Sequence, residues 1–148
     1  MTKPATTVET IATSCIAGRL RLLNRVITNL YDDALRPLGV KLSQGNVLAV
    51  TAKLGVARPA QVCDILELDT STLSRTVDRM VDNGWLEILP DDDGRSHPFR
   101  LTDEGRRLME QSIPAWERAQ AEANRLLGED GLRLLDEAIR RIKATHAG

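Results

Sequence analysis

Apolar residues recur with a helical period near the start of this chain. From Val8 to about Arg36 the steps between them are mostly four residues, which predicts one long amphipathic helix ended by Pro37 and Gly39. The apolar positions are Ile11, Cys15, Leu22, Val26, Leu30 and Ala34. Such a helix spans roughly 40 Å, which is longer than a small core can cover. We therefore expect it to pack against a partner chain.

The last third of the sequence predicts two more amphipathic helices. The first begins after Thr102, which can cap it, is kinked at Pro114 and stops at Gly128. Its apolar face is expected to comprise Met109, Ile113, Trp116, Ala123 and Leu127. The second runs from about Glu129 to Ala144 and carries a narrow apolar seam, which suits packing against another helix or another subunit. That seam consists of Leu132, Leu135, Ile139 and Ile142.

Between these two ends the pattern predicts three shorter helices. The first has Ser43 as its cap and extends to about Leu54, and the second opens at Arg58-Pro59. The buried stripe of the second is expected to be Val62, Ile65 and Leu66. The connection to the third is short, as a helix-turn-helix requires.

The third of these helices, from Asp69 or Thr70 to Asn83, separates its residues onto two faces. Leu73, Val77 and Met80 are spaced three or four apart and are expected to face the core. The outer face then holds Ser71, Thr72, Ser74, Arg75, Asp78 and Arg79. Small hydroxyls and guanidinium groups on one exposed face suit contacts with base edges and phosphates in a DNA major groove.

A β-hairpin is predicted directly after this helix. Residues 85–89 alternate as a strand, residues 90–94 form a turn, and residues 96–101 return as a second strand, which Pro98 places at the sheet edge. An exposed helix beside a hairpin with Arg95 at its tip is a winged helix-turn-helix. The predicted fold class is therefore mainly α with a small β-hairpin wing (α+β), with long N- and C-terminal helices.

The composition fits a single soluble domain that binds rather than catalyses. The 148 residues are 42% hydrophobic and 28% charged, and no apolar run approaches the ~20 residues of a membrane span. No secretory signal is visible, so a cytoplasmic protein without membrane contact is expected. No nucleophilic, acid–base or phosphate-loop arrangement is present, and neither histidine nor cysteine spacing suggests a metal. We predict no enzyme activity, no cofactor and no metal.

The charge balance restricts how this chain can bind DNA. The formal net charge is −1, and residues 41–100 hold seven Lys/Arg against nine Asp/Glu, a net of −2. Because neutralising phosphates supplies most non-specific affinity, the positive charge must be local, set by where a few arginines point. A helical interaction adaptor that does not bind DNA is an alternative.

Three segments resemble the MarR family of bacterial transcription regulators. Asp93-x-Arg95 followed by Leu101-Thr102-x-x-Gly105 looks like the wing signature of that family. Residues 69–75 and 77–79 are similar to its recognition helix, and residues 31–39 resemble the end of its first helix. The resemblance covers nearly the whole chain, taken as a single subunit over residues 1–148.

The resemblance implies a homodimer that binds double-stranded DNA. Residues 8–39 and 103–146 would be the dimerisation helices, and residues 43–102 the winged helix-turn-helix region. Two recognition helices would enter successive major grooves of a pseudo-palindromic operator while the wings reach the minor grooves. Many members are repressors that a small lipophilic or phenolic effector releases from DNA, so a ligand-responsive repressor is expected.

The expected DNA contacts are made by the recognition helix and the wing. They are Ser71, Thr72, Ser74, Arg75, Arg79 and Arg95. Arg75 is the expected base reader and Arg79 the phosphate contact, unless either forms a surface pair with Asp78 or Asp82. Helix capping is the alternative for Ser71. Arg95 suits a narrow minor groove, and Asp93 either positions its guanidinium or simply pairs with it.

Several positions depart from the family pattern or leave alternatives open. Gly94 replaces a second wing arginine and Asp91 and Asp92 add negative charge, so weaker or more salt-sensitive DNA binding is expected. Arg58 could contact phosphate or remain solvated. Some relatives carry a redox-active cysteine in the first helix, which makes Cys15 a candidate for a redox-responsive regulator. Burial on the apolar stripe is the favoured interpretation of Cys15, since no basic group that would activate the thiol is visible.

Overall fold

A computed structural model describes residues 2–91 and 94–148, which form six α-helices, one 3-10 turn and one two-stranded hairpin. In chain order these are α1 (Val8–Ser14), α2 (Ile16–Leu35), the 3-10 turn (Arg36–Leu38), α3 (Leu42–Leu54), α4 (Pro59–Leu66), α5 (Thr70–Asp82), β1 (Leu86–Ile88), β2 (Phe99–Leu101) and α6 (Asp103–His146). The order α3-α4-α5-β1-β2 is a winged helix-turn-helix between two helical arms, so the predicted fold class is confirmed.

The predicted first helix is two helices, because the backbone leaves the helical region at Cys15 (φ −61°, ψ 117°). Thr7 caps α1 by accepting a hydrogen bond from the Thr10 amide at 3.1 Å. None of the residues of α1 is buried, so no packing within the subunit holds α1 in line with α2. The expectation of one continuous helix from Val8 is wrong for this reason.

α3 begins two residues earlier than the sequence suggested and is not capped by Ser43. Lys41 is the N-cap residue, and its amide donates to the side-chain oxygen of Gln44 at 3.0 Å. The next amide, that of Leu42, donates to a carboxylate oxygen of Asp32 at 2.7 Å. The start of α3 is therefore anchored to α2, which connects the winged helix-turn-helix to the N-terminal arm.

The core of the subunit lies among α3, α4, α5 and the hairpin. Its largest fully buried side chains are Phe99, Leu48, Leu73, Met80, Leu86, Val47 and Val62. Ile65, predicted to be buried with Val62, is instead about half exposed on α4. α4 is only eight residues long, so the core contacts just part of its circumference.

The hairpin pairs Leu86 with Leu101, Glu87 with Arg100 and Ile88 with Phe99. Phe99 also exchanges two backbone hydrogen bonds with Ala57, at 2.8 and 2.9 Å. The return strand is therefore flanked on both sides at Phe99, and its prediction as an edge strand is wrong there. Pro98 fits because only its carbonyl is used, as acceptor for the Leu89 amide at 2.8 Å.

α6 starts at a capped turn and bends at Gly128. The hydroxyl of Thr102 accepts from the Gly105 amide at 3.0 Å and donates to the Gly84 carbonyl at 2.5 Å. The helix continues through Pro114, and its backbone leaves helical geometry at Gly128 (φ 69°, ψ 169°). The predicted division at Gly128 is confirmed.

The buried face of α6 is a stripe of small residues rather than the predicted stripe of large ones. Its buried positions are Gly105, Leu108, Ser112, Ala115, Ala119 and Ala123. Ile113 and Trp116, expected to face inward, are each nearly half exposed. The small side chains let α6 approach α2, where Tyr31 donates a hydrogen bond to Gln120 and burial raises the pKa of the Tyr31 phenol.

No helix within the described ranges has the length and apolarity needed to cross a lipid bilayer.

Candidate DNA-binding interface

The predicted division of α5 into two faces is present in the structure. Leu73, Val77 and Met80 are buried against the core. On the opposite face Ser74, Arg75 and Arg79 are exposed. α5 is thus held by its apolar stripe while hydroxyl and guanidinium groups point to solvent, as an element that reads a groove requires.

The N-terminus of α5 is organised by the carboxylate of Asp69. One oxygen accepts from the Thr72 amide at 2.7 Å and from the Ser71 hydroxyl at 2.8 Å, and the other accepts from the Thr72 hydroxyl at 2.9 Å. The Thr72 amide first, then these two hydroxyls, lower the pKa of Asp69 to about 2. Ser71 and Thr72 therefore take part in helix capping in the free protein, the alternative left open for Ser71, while their oxygens retain acceptor capacity.

The arginines of this surface form no ion pairs within the described parts of the chain. Salt bridges there join other residues, and neither Arg75 nor Arg79 is paired with Asp78 or Asp82. The alternative of a surface pair on α5 is therefore not adopted. Arg95, on the wing, is exposed, and its expected partner Asp93 lies outside the described residues.

Beyond the paired strands, hydrogen bonds join described residues of the wing on either side of positions 92 and 93. The Gly94 amide donates to the Asp91 carbonyl at 3.0 Å, and Gly94 and His97 both have positive φ, 63° and 42°. The Ser96 amide and hydroxyl both donate to one carboxylate oxygen of Asp91, at 3.0 and 2.6 Å. These bonds place Arg95 between a glycine and a serine anchored to the turn.

A cleft of about 600 Å³ separates the wing from α5 and the start of α4. Its polar lining consists of Arg58, Thr70, Ser74, Asp78, Arg95, Ser96 and His97. Arg95 of the wing and Ser74 of α5 both line this cleft. Arg75 and Arg79 do not line it, so the interface has two parts, one facing the cleft and one along α5.

A second cavity, about 450 Å³ in volume and almost entirely apolar, lies where α2, α3 and α6 meet. Leu35, Leu48, Met109, Ile113 and Trp116 are among its walls. The outward face of α6, which does not enter the core, thus lines this cavity. The sequence did not predict the lining of this cavity, because the α3 wall depends on tertiary packing.

Cys15 is exposed in the subunit, so the expectation that it is buried on an apolar stripe is wrong. It lies at the break between α1 and α2, where it is the N-cap residue of α2 without capping it through its side chain. Among the described residues, no group of three or more His, Cys, Asp or Glu side chains could hold a metal ion.

Known proteins and structures resemble this chain in sequence and in fold. A family model described as "MarR family" matches residues 38–96. The multiple antibiotic resistance protein MarR of Salmonella typhimurium is 32% identical over 96 residues, which is 64% of this chain and 67% of that protein. The structure of a mutant Escherichia coli MarR in complex with operator DNA matches with a TM-score of 0.80 at 22% identity, covering 93% of this chain and 99% of that one. The M. tuberculosis regulator MOSR in complex with DNA matches with a TM-score of 0.80 at 25% identity, covering 90% and 98%.

Proposed function

Since the chain belongs to the MarR family and is a DNA-binding transcriptional regulator rather than an enzyme, we propose that it acts as a repressor. As a homodimer it would bind a pseudo-palindromic operator in double-stranded DNA, and a small lipophilic or phenolic effector would release it. The cytoplasm remains its predicted location. The alternative of an adaptor without DNA affinity is not retained.

The observation that carries this proposal is the exposed face of α5 beside the wing. Ser74, Arg75 and Arg79 are held outward by a buried stripe, and neither guanidinium group forms an ion pair with any residue that the structure describes. Arg75 lies nearer the helix N-terminus, where recognition helices contact base edges, and suits a bidentate contact with guanine. Arg79 lies one turn further along the helix and suits a phosphate.

The wing and the α5 N-terminus would extend the contact on either side. Arg95 is exposed at the wing tip and suits a narrow minor groove, with Asp93 as its proposed positioning partner. Ser71 and Thr72 would offer their oxygens to DNA donors while donating to Asp69. Residues 43–102 thus form the proposed DNA-binding region.

The test is a selection of genomic fragments by the purified protein, followed by fluorescence anisotropy on the selected duplex. We expect the selected duplex to contain a pseudo-palindromic sequence. Arg75→Ala and Arg95→Ala should each weaken binding to it strongly. Arg36→Ala is the matched control, because Arg36 is an exposed arginine paired with Asp33 away from α5 and the wing. Failure of the wild-type protein to enrich any duplex at low salt would sink the proposal.

The proposed homodimer rests on apolar residues that the subunit leaves exposed at both ends. On α1 and α2 these include Ile11, Ile16, Leu20 and Val26, and on the second half of α6 Leu134, Ile139 and Ile142. Contiguous exposed apolar surface marks a site of association. Residues 8–39 and 103–146 are therefore the proposed dimerisation helices. Light scattering of purified protein should give twice the subunit mass of 16.3 kDa, and a monomer at micromolar concentration would refute this part.

The proposed effector site is the apolar cavity between α2, α3 and α6. Its volume of about 450 Å³ and its apolar walls suit a small lipophilic molecule or a phenol. Alkyl-substituted phenols should raise the thermal midpoint of the protein and release the selected duplex. Ala49→Phe, which fills the cavity from α3, should abolish both effects while leaving DNA binding intact.

Redox control through Cys15 is a second candidate, favoured by the exposure of this thiol at a helix break. Mild peroxide would then release DNA from the wild-type protein but not from Cys15→Ser. Cys63→Ser serves as the control, since Cys63 is partly buried on α4. Release that persists in Cys15→Ser would eliminate this candidate.

A further inference from the structure

One side-chain contact ties the wing to a different element of the fold. A guanidinium nitrogen of Arg58 donates to the Ser96 hydroxyl at 2.6 Å, and the same hydroxyl donates to Asp91 at 2.6 Å. Arg58 is the N-cap residue of α4, and Ser96 lies one residue beyond the wing arginine. A helix outside the hairpin therefore reaches the tip of the wing through a single serine.

The position of this contact matters because the backbone hydrogen bonds between the two strands end before they reach Ser96. The last described ladder bond joins the Leu89 amide to Pro98, and the bridge to Ala57 is made at Phe99. Towards the tip, the described wing is held by its own turn and by the contact from Arg58 to Ser96. The hydrogen bond from Arg58 thus joins the tip to the start of α4, in addition to the connection through the two strands.

The contact also changes the local charge. Asp91 belongs to the acidic run that is expected to weaken DNA binding. Arg58 brings a positive charge to the Ser96 hydroxyl, which itself donates to the Asp91 carboxylate. Arg58 and Arg95 both line the cleft between the wing and α5.

We propose that Arg58 is a positioning residue for DNA recognition, which holds the wing tip through Ser96 so that Arg95 is presented in its binding geometry. This inference rests on the proposed DNA-binding role of the wing. Arg58 raises the fraction of molecules in which the wing has its binding geometry, and the apparent affinity for DNA is proportional to that fraction. It makes no phosphate contact of its own.

The DNA experiment compares Arg58→Ala, Ser96→Ala and the double variant on the selected duplex over a range of salt. Each single variant should weaken binding about tenfold, the effect of one hydrogen bond to a charged group, and the double variant should be no weaker. The slope of log affinity against log salt should remain that of the wild type. Arg58→Lys should restore part of the affinity, because an ammonium can also donate to the serine.

A direct phosphate contact by Arg58 predicts different results. Arg58→Ala would then lower the salt slope by about 0.9, the value for one phosphate, and the losses in the double variant would add. Either result overturns the positioning role. Arg36→Ala, outside the interface, controls for the loss of one positive charge.

Hydrogen exchange in the free protein tests the same inference without DNA. In Arg58→Ala the Ser96 amide should exchange several-fold faster, while the Phe99 amide, held by Ala57, should keep its rate. An unchanged Ser96 rate would refute the positioning role even if DNA binding falls. Faster exchange in a protein that binds no duplex would instead refute the proposed function and leave the structural role of Arg58 standing.

Discussion

Replacing Gly105 with alanine should destabilise the protein at the junction of the hairpin and α6. Gly105 lies in the first turn of α6, where the helix crosses the backbone at Trp85. A β-carbon at this position would lie 2.9 Å from the Trp85 carbonyl carbon and closer still to its oxygen. Backbone atoms cannot rotate away as a side chain can, so the start of α6 must move.

The expected loss of stability follows from the hydrogen bonds and packing that a shift of the start of α6 would disturb. The Trp85 carbonyl accepts the Thr102 amide at 3.1 Å, and the Thr102 hydroxyl joins Gly84 to Gly105. Overpacking costs about 1–3 kcal/mol and the strained hydrogen bond about 1 kcal/mol, while alanine returns at most about 1 kcal/mol of helix propensity. The free energy of unfolding should fall by about 1–4 kcal/mol, or roughly 2–16 °C in thermal midpoint for a chain of this size.

The assay is urea unfolding followed by circular dichroism, at one protein concentration because dimerisation contributes to stability. Gly45→Ala is the matched control, since Gly45 lies in α3 and its added β-carbon meets nothing within 4 Å. That substitution should raise stability by up to about 1 kcal/mol. If Gly105→Ala is as stable as the wild type, the close approach to Trp85 does not limit the structure and the reasoning fails.

Three further outcomes are expected. Phe99→Ala empties a fully buried site in the core and should lower the free energy of unfolding in urea by about 3–5 kcal/mol. The surface substitution Val56→Ala should lower it by less than about 1 kcal/mol. Equal effects of the two substitutions would contradict the described core. The pKa of Asp69 is about 2 in the folded protein, below its ordinary unfolded value, so its stabilising effect should be complete above about pH 4 and be lost as pH falls towards 2. Unfolding curves at several pH values should therefore show the wild type losing stability relative to Asp69→Asn, which still caps but does not titrate there, and parallel curves would refute the capping argument. Arg95→Ala should lower the salt slope of DNA binding by about 0.9 if its guanidinium neutralises one phosphate, with Arg36→Ala unchanged; an unaltered slope would remove Arg95 from the phosphate contacts.

The elements with one unambiguous apolar face could be predicted from the sequence. In α5 the spacing of Leu73, Val77 and Met80 leaves one way to bury the helix, and the structure adopts it. Gly128 was expected to divide the C-terminal helices, and the backbone there has a positive φ that favours glycine. Local signals of this kind need no knowledge of the partner element.

Elements with apolar residues on two faces could not be assigned in this way. α6 carries large residues such as Ile113 and Trp116 beside a stripe of alanines, and periodicity does not tell which side faces α2. The alanines are inside because helices approach closely only where side chains are small. The large residues are left to line the cavity with α3.

The break at Cys15 and the anchoring of the wing had no local signal. Neither Gly nor Pro marks Cys15, and α1 departs from α2 where no burial restrains it. The contact between Arg58 and Ser96 joins residues 38 positions apart, and it lies beside the bridge between Ala57 and Phe99. Such contacts depend on the tertiary structure, so the sequence suggested Arg58 only as a phosphate contact or a solvated residue.

The pairing of Ala57 with Phe99 connects the wing directly to the helix-turn-helix. Because this bridge connects the wing to the segment that precedes α4, we expect the wing and the helix-turn-helix to move together as one DNA-binding unit. In the proposed homodimer, operator affinity would then depend on the separation and tilt of two such units, which must match half-sites roughly 34 Å apart. When DNA is released, the distance between two probes placed on the DNA-binding units of different subunits should change. The distance between two probes within one such unit should stay the same.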